Sequence, residues 1–75
     1  PEVFLKAAEK LDVEPSRCVV VEDAVHGVEA AHAAGMKCVG FVSRGRTEIE
    51  LAQADLLIHT LAELNPTVLQ DLLMH

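Results

Sequence analysis

The sequence predicts an α/β fold in which three short parallel strands alternate with helices and one helix precedes the first strand. Three apolar runs, at residues 18–21, 37–42 and 56–58, predict the strands. Segments with apolar residues at helical spacing lie before, between and after these runs. This alternation is typical of a parallel sheet with helices packed on its faces.

The first two helices are predicted from periodicity and from the residues that end them. Residues 2–12 carry charged side chains on one helical face and apolar side chains on the other. Residues 24–34 are mostly small helix formers, and Gly35 follows them as the residue type preferred just past a helix. The apolar face of the first helix consists of Val3, Phe4, Ala7, Ala8 and Leu11.

Two capping signals predict the later helices. Thr47 with Glu50 has the form of a capping box, so we expect a helix through residues 49–52. Asn65 followed by Pro66 supplies an N-cap and a first helical residue for a closing helix. The apolar face of that helix consists of Val68, Leu69, Leu72 and Leu73.

Composition limits the possible partners. The 75 residues are 51% hydrophobic, which fits one small globular domain or a piece of a larger one, and because Pro1 rather than Met comes first we expect a fragment or a processed chain. The net charge is −6 and the six basic residues are scattered, so we expect no nucleic-acid partner. No apolar run approaches the ~20 residues of a membrane span, so we expect no membrane partner.

The two cysteines are interpreted first as small buried hydrophobic residues. Cys18 and Cys38 each stand at an apolar run, and one pair is too few for a disulfide framework. A disulfide remains the alternative, because neighbouring parallel strands would bring the thiols close together. The first interpretation favours a reducing, cytoplasmic location.

Two adjacent carboxylates, Glu22 and Asp23, follow the first predicted strand. Ligands of open parallel sheets bind beyond the carboxyl ends of the strands. Adjacent carboxylates repel each other, and a divalent cation with oxygen ligands, chiefly Mg²⁺, offsets that repulsion. The alternative is that Asp23 only caps the next helix while Glu22 stays solvated. With only Gly27 near this junction, a dinucleotide-binding G-x-G-x-x-G motif is excluded.

The run VVEDAVHGVEAAHAAGM, residues 20–36, resembles the haloacid dehalogenase superfamily of hydrolases, in the branch that contains β-phosphoglucomutase and sugar-phosphate phosphatases. Residues 51–64, LAQADLLIHTLAEL, are similar to the closing strand and helix of that family. The resemblance implies that residues 1–75 are the C-terminal half of a Rossmann-like core domain. The nucleophile strand, the cap domain and a lysine expected just before Pro1 would then be absent.

The resemblance also implies a chemistry. Asp23 would bind Mg²⁺ directly and Glu22 directly or through water, for phosphoryl transfer to and from an aspartyl-phosphate on a small phosphorylated metabolite. The family's nucleophile and general acid/base lie in a D-x-D motif, which does not occur in these residues. We therefore expect no catalytic residue in this chain and no activity from the chain alone.

Four further residues have features that suggest a role near this junction or in the loop after the second strand. His26, Arg44 and Arg46 are weak candidates for contact with a substrate phosphate, and solvent-exposed charges are the alternative. Gly27 is expected to let its helix approach the sheet closely.

The first strand is expected to have a free edge. The resemblance implies that this strand pairs with the missing nucleophile strand, so the chain should associate with the rest of its protein or with itself. The alternative function is a non-catalytic α/β interaction module, in which Glu22 and Asp23 only cap a helix and the apolar edge binds a protein.

Overall fold

The computed structural model describes residues 1–74 and contains a three-stranded parallel sheet in the order β1-β2-β3. The predicted α/β class is confirmed. Two short 3-10 helices, Pro15–Arg17 and Leu61–Glu63, accompany the main elements. In chain order these are α1 (Glu2–Leu11), β1 (Val19–Glu22), α2 (Val25–Ala33), β2 (Lys37–Phe41), β3 (Leu56–Ile58) and α3 (Pro66–Met74).

The middle strand, β2, is the most deeply buried part of the sheet. Val21 of β1 faces Val39 in register, and Val39 is paired on its other side with Leu56 of β3. Val39 is fully buried, whereas Val21 is 41% exposed. Within residues 1–74 β1 is therefore an edge strand, and one of its faces is only partly covered.

Much of the core is made of two clusters of buried side chains, and Phe4 and Val20 pack against both of them. Leu51 lies in the connection between β2 and β3 and is fully buried, which stabilises the fold by about 1.5–3 kcal/mol. The first cluster contains Val28, Ala31, Cys38 and Leu51, and the second contains Ala8, Ala34 and Met36.

The predicted apolar face of α1 is only partly used. Phe4 and Ala8 pack against the core, but Val3 is 77% and Leu11 71% exposed. The apolar face of α1 is wider than the part of the core that it covers within residues 1–74. The remaining apolar area of α1 is therefore exposed in residues 1–74.

The helix expected through residues 49–52 is wrong, because tight turns occupy that segment. The capping-box hydrogen bonds do form: Glu50 N donates to Thr47 Oγ1 at 3.3 Å and Thr47 N to Glu50 Oε1 at 3.0 Å. The next amides donate three residues back, as from Ala54 N to the Leu51 carbonyl at 3.0 Å. Since Asp55 N donates to the Cys38 carbonyl at 2.8 Å, the chain is already bonded to β2 four residues after the buried Leu51. A continued helix would carry it away from the sheet.

The other two helix boundaries confirm the sequence signals. Gly35 follows α2 with a φ of 77°, the left-handed conformation that glycine adopts without strain. Val68 N donates to Asn65 Oδ1 at 2.9 Å, so Asn65 caps α3 and Pro66 is its first residue.

Asp55 ties three elements together at the amino end of the sheet. Its Oδ2 accepts from Cys38 N at 2.8 Å and lies 2.9 Å from Nε2 of His32 at the end of α2. Burial alone would raise the pKa of Asp55, but the Cys38 amide, the His32 ring and the charge of Lys37 together hold it below its ordinary value. The ionised carboxylate therefore stabilises the fold.

Replacing Asp55 with alanine is expected to lower the free energy of unfolding of the full-length protein by about 1–3 kcal/mol at pH 7, because the Cys38 amide loses its acceptor. A carboxylate whose pKa is lowered on folding stabilises the protein above the unfolded pKa of about 3.9, and this contribution disappears as the pH falls through the folded value. The difference between wild type and Asp55→Ala should therefore shrink below about pH 4. Urea unfolding from pH 3 to 7 measures it, with the exposed Asp71→Ala as control. A difference that stayed constant down to pH 3 would contradict this prediction.

Candidate functional site

The acidic pair lies where β1 gives way to α2. Glu22 is the last residue of β1 and faces Gly40 of β2 in register, and Asp23 follows it. The strand ends one residue later than expected, so Glu22 is part of the sheet and is half-buried, while Asp23 is exposed. Both residues are at the carboxyl edge of the parallel strands, the edge where ligands of such sheets bind.

Neither carboxylate is used to cap α2. The N-cap residue of α2 is Ala24, and no side chain donates or accepts a capping hydrogen bond there. The ion pairs found within residues 1–74 involve other acidic residues, namely Asp55, Glu50 and Glu48. The alternative in which Asp23 only caps the helix is therefore wrong, and neither carboxylate is in an ion pair within residues 1–74.

Gly27, in the first turn of α2, leaves room for the side chain of Glu22. A Cβ atom added at Gly27 would overlap Cγ, Cδ and Oε1 of Glu22. This agrees with the expectation that Gly27 lets its helix approach the sheet, since Glu22 is the last residue of β1. The Glu22 carboxylate lies against the start of α2.

The donor set fits part of a Mg²⁺ site. Carboxylate oxygens are the ligands Mg²⁺ prefers, and it is commonly bound by one or two of them together with waters and substrate oxygens. Within residues 1–74 no group of three or more potential ligands comes together. Glu22 and Asp23 can therefore supply only a share of the ligands, with the remainder coming from outside the described chain.

The cysteines remain thiols in the described structure. Cys38 is fully buried and Cys18 is half-buried, and both are free, so the disulfide alternative is not observed. Burial, and after it the charges of Glu22 and Asp55, raise the pKa of the Cys38 thiol to about 11. A thiol that stays protonated at neutral pH is a poor nucleophile, so Cys38 acts as a small core residue.

The weaker candidates share the same edge of the sheet. His26 lies exposed in the first turn of α2, and Arg44 and Arg46 flank Gly45 in the loop after β2. Arg46 Nη1 is 3.6 Å from Glu50 Oε2, an exposed pair that contributes little to stability. Contact of these three residues with a substrate stays a prediction.

His59 makes contacts that the sequence does not predict. It follows β3, and its Nε2 lies 3.0 Å from Oε1 of Glu48 in the connection after β2. Its amide donates to Glu63 Oε2 at 2.6 Å, and the Thr60 amide donates to the same oxygen at 2.9 Å. The spacing Thr60-x-x-Glu63 was a readable signal for the second contact, but nothing in the sequence pairs His59 with Glu48.

Comparison with known proteins agrees with this geometry. A family model described as haloacid dehalogenase-like hydrolase matches residues 1–35. The validoxylamine A 7'-phosphate phosphatase of Streptomyces hygroscopicus subsp. limoneus is 44% identical over 63 residues, 84% of this chain and 29% of that protein. The β-phosphoglucomutase of Bacillus subtilis is 38% identical over 71 residues, 95% of this chain and 30% of that protein.

A solved structure agrees with these sequence matches. The crystal structure of a HAD hydrolase, family IA, variant 3, from Entamoeba histolytica superposes with a TM-score of 0.90 and 36% identity, covering 100% of this chain and 34% of that one. This chain thus spans about a third of the length of these relatives. No helix within residues 1–74 has the length and apolarity needed to cross a membrane. The sequence motif, the parallel sheet and these matches together establish that the chain belongs to the haloacid dehalogenase-like hydrolases.

Proposed function

We propose that the full-length protein containing this chain is a Mg²⁺-dependent phosphatase or phosphomutase that acts on a small phosphorylated metabolite of the sugar-phosphate class. The observation that carries the proposal is the pair Glu22 and Asp23 at the carboxyl edge of the sheet, used neither for capping nor in an ion pair within residues 1–74. The family to which the chain belongs supports the reaction class, since one relative is named a phosphatase and another a phosphoglucomutase.

Each carboxylate has a separate role in this proposal. Asp23 is exposed and binds Mg²⁺ directly, while the half-buried Glu22 binds it directly or through a water. Bound Mg²⁺ would offset the charge of the phosphoryl group as an anionic nucleophile approaches. Neither residue attacks phosphorus, and the aspartate that forms the aspartyl-phosphate is proposed to lie outside this chain.

Metal dependence of the full-length protein tests the proposal. Release of phosphate from a panel of sugar phosphates, or interconversion of a hexose 1-phosphate and 6-phosphate, is expected with Mg²⁺ and should be lost with EDTA. Restoration by added Mg²⁺ separates metal removal from damage to the protein. Equal turnover in EDTA and in Mg²⁺, or no turnover on any phosphomonoester, would contradict the proposal.

The interaction-module alternative keeps one supporting observation, the free edge of β1. An apolar groove of about 330 Å³ runs beside it between α1 and β1 and is lined by residues that include Phe4, Leu11 and Val20. An unpaired edge beside apolar surface favours pairing with another strand. We propose that the occupant is the rest of the same protein, and a second copy where that part is missing.

A cytoplasmic location also remains a proposal. The two free thiols, Cys18 and Cys38, support it because reducing compartments preserve thiols. Cell fractionation with an antibody against the full-length protein tests it, and recovery from an oxidising compartment would contradict it.

A further inference from the structure

We propose that Gly27 is a positioning residue for the metal site: the absence of a side chain at this position lets the Glu22 carboxylate lie against the first turn of α2, next to Asp23. This inference rests on the proposed function, because it assigns Gly27 a part in holding a metal ligand. It concerns the orientation of a ligand rather than contact with the ion.

The atoms that a side chain at position 27 would meet first belong to Glu22. The three atoms nearest to an added Cβ are Cγ, Cδ and Oε1 of Glu22, and all three would overlap with it. No backbone atom and no core side chain is among these nearest atoms. A residue other than glycine would therefore meet Glu22 first.

Neither backbone conformation nor core packing explains this glycine. Only Gly35 and Gly45 among the described glycines have a positive φ, so Gly27 has a conformation open to any residue. Gly40 differs again, because an added Cβ there would meet three core side chains, those of Leu57, Ala54 and Leu51. Space for Glu22 is the remaining physical reason for glycine at position 27.

Glycine is also a poor choice for the helix itself. It is among the least favourable residues in a helix interior, and alanine is the most favourable. The colliding atoms belong to the far end of the Glu22 side chain, which can rotate away. Alanine at position 27 should therefore displace the carboxylate without unfolding the helix, and stability and metal binding should respond in opposite directions.

The test measures Mg²⁺ affinity by isothermal titration calorimetry, and the melting temperature without metal, on the full-length protein and its variants. Gly27→Ala is expected to weaken Mg²⁺ binding by about 10–100-fold, the range seen when partners that orient a ligand are lost. The melting temperature of the metal-free protein should stay the same or rise. Glu29→Ala, which removes an exposed carboxylate from the same helix, is the matched control and should leave the affinity unchanged.

A double-mutant cycle decides whether Gly27 acts through Glu22. In the Glu22→Ala background the added Cβ has nothing to displace, so Gly27→Ala should cause no further loss of affinity. An equal loss in both backgrounds, an unchanged affinity, or a lower melting temperature of Gly27→Ala without metal would overturn the inference. If Asp23→Asn and Glu22→Ala also leave Mg²⁺ affinity unchanged, the proposed function itself has failed and the inference fails with it.

Discussion

Replacing Asp23 with asparagine in the full-length protein is expected to abolish Mg²⁺-dependent turnover and to weaken Mg²⁺ binding by more than about 100-fold. Loss of a residue that only orients a metal ligand costs up to about 100-fold in affinity, and loss of a direct ligand should cost more. The amide keeps the size of the side chain but removes the negative charge that a hard divalent ion requires. Because Asp23 is exposed and makes no capping bond or ion pair within residues 1–74, its loss should leave the fold intact.

Calorimetry and steady-state phosphate release measure the two effects separately. Asp71→Asn makes the same chemical change at an exposed position of α3 and should behave as wild type. Unaltered melting of Asp23→Asn without metal would show that the change is confined to the site. Retention of wild-type affinity and turnover would remove the acidic pair from the proposed mechanism.

Residues 1–75 produced alone are expected to show no phosphatase activity and to self-associate. Residues 1–74 bring together no group of three or more potential metal ligands and the sequence contains no D-x-D motif, so turnover should not exceed that of the buffer blank. Val21 at the free edge of β1, and Val3 and Leu11 on α1, leave apolar surface open that another chain can cover.

Phosphate release and light scattering after size exclusion measure these two outcomes. The full-length protein at the same concentration is the positive control for turnover and the reference for mass. Metal-dependent turnover by the isolated chain would contradict the first expectation. A monodisperse monomer with a cooperative unfolding transition would contradict the second.

The two capping signals show which structural features can be predicted from neighbouring residues alone. Thr47-x-x-Glu50 forms its reciprocal hydrogen bonds, yet no helix follows, whereas Asn65 caps a real helix in α3. The bonds of a capping box involve neighbouring residues only, so the sequence predicts them correctly. Whether a helix continues depends on where the chain must go next, and the burial of Leu51 and the attachment of Asp55 to β2 decide that.

For the acidic pair, too, the sequence predicts the position of the residues but not their role. The position of the pair can be predicted from the sequence, because an apolar strand followed directly by Glu22 and Asp23 places both residues at the carboxyl edge of a parallel sheet. The sequence cannot predict whether the pair caps the helix or is free to bind a metal, because this depends on which residue becomes the N-cap. The structure makes Ala24 that residue and leaves both carboxylates available.

The sequence by itself determined the α/β class, the three strands, the helix caps at Gly35 and Asn65, and the family, because periodicity, cap residues and the run around Glu22 and Asp23 are local features. Tertiary structure decided the turns after Thr47, the edge position of β1, the contact of His59 with Glu48 and the role of Gly27. Each of these depends on atoms brought together from different elements. Their distances follow from how the sheet and helices pack, which no short stretch of sequence specifies.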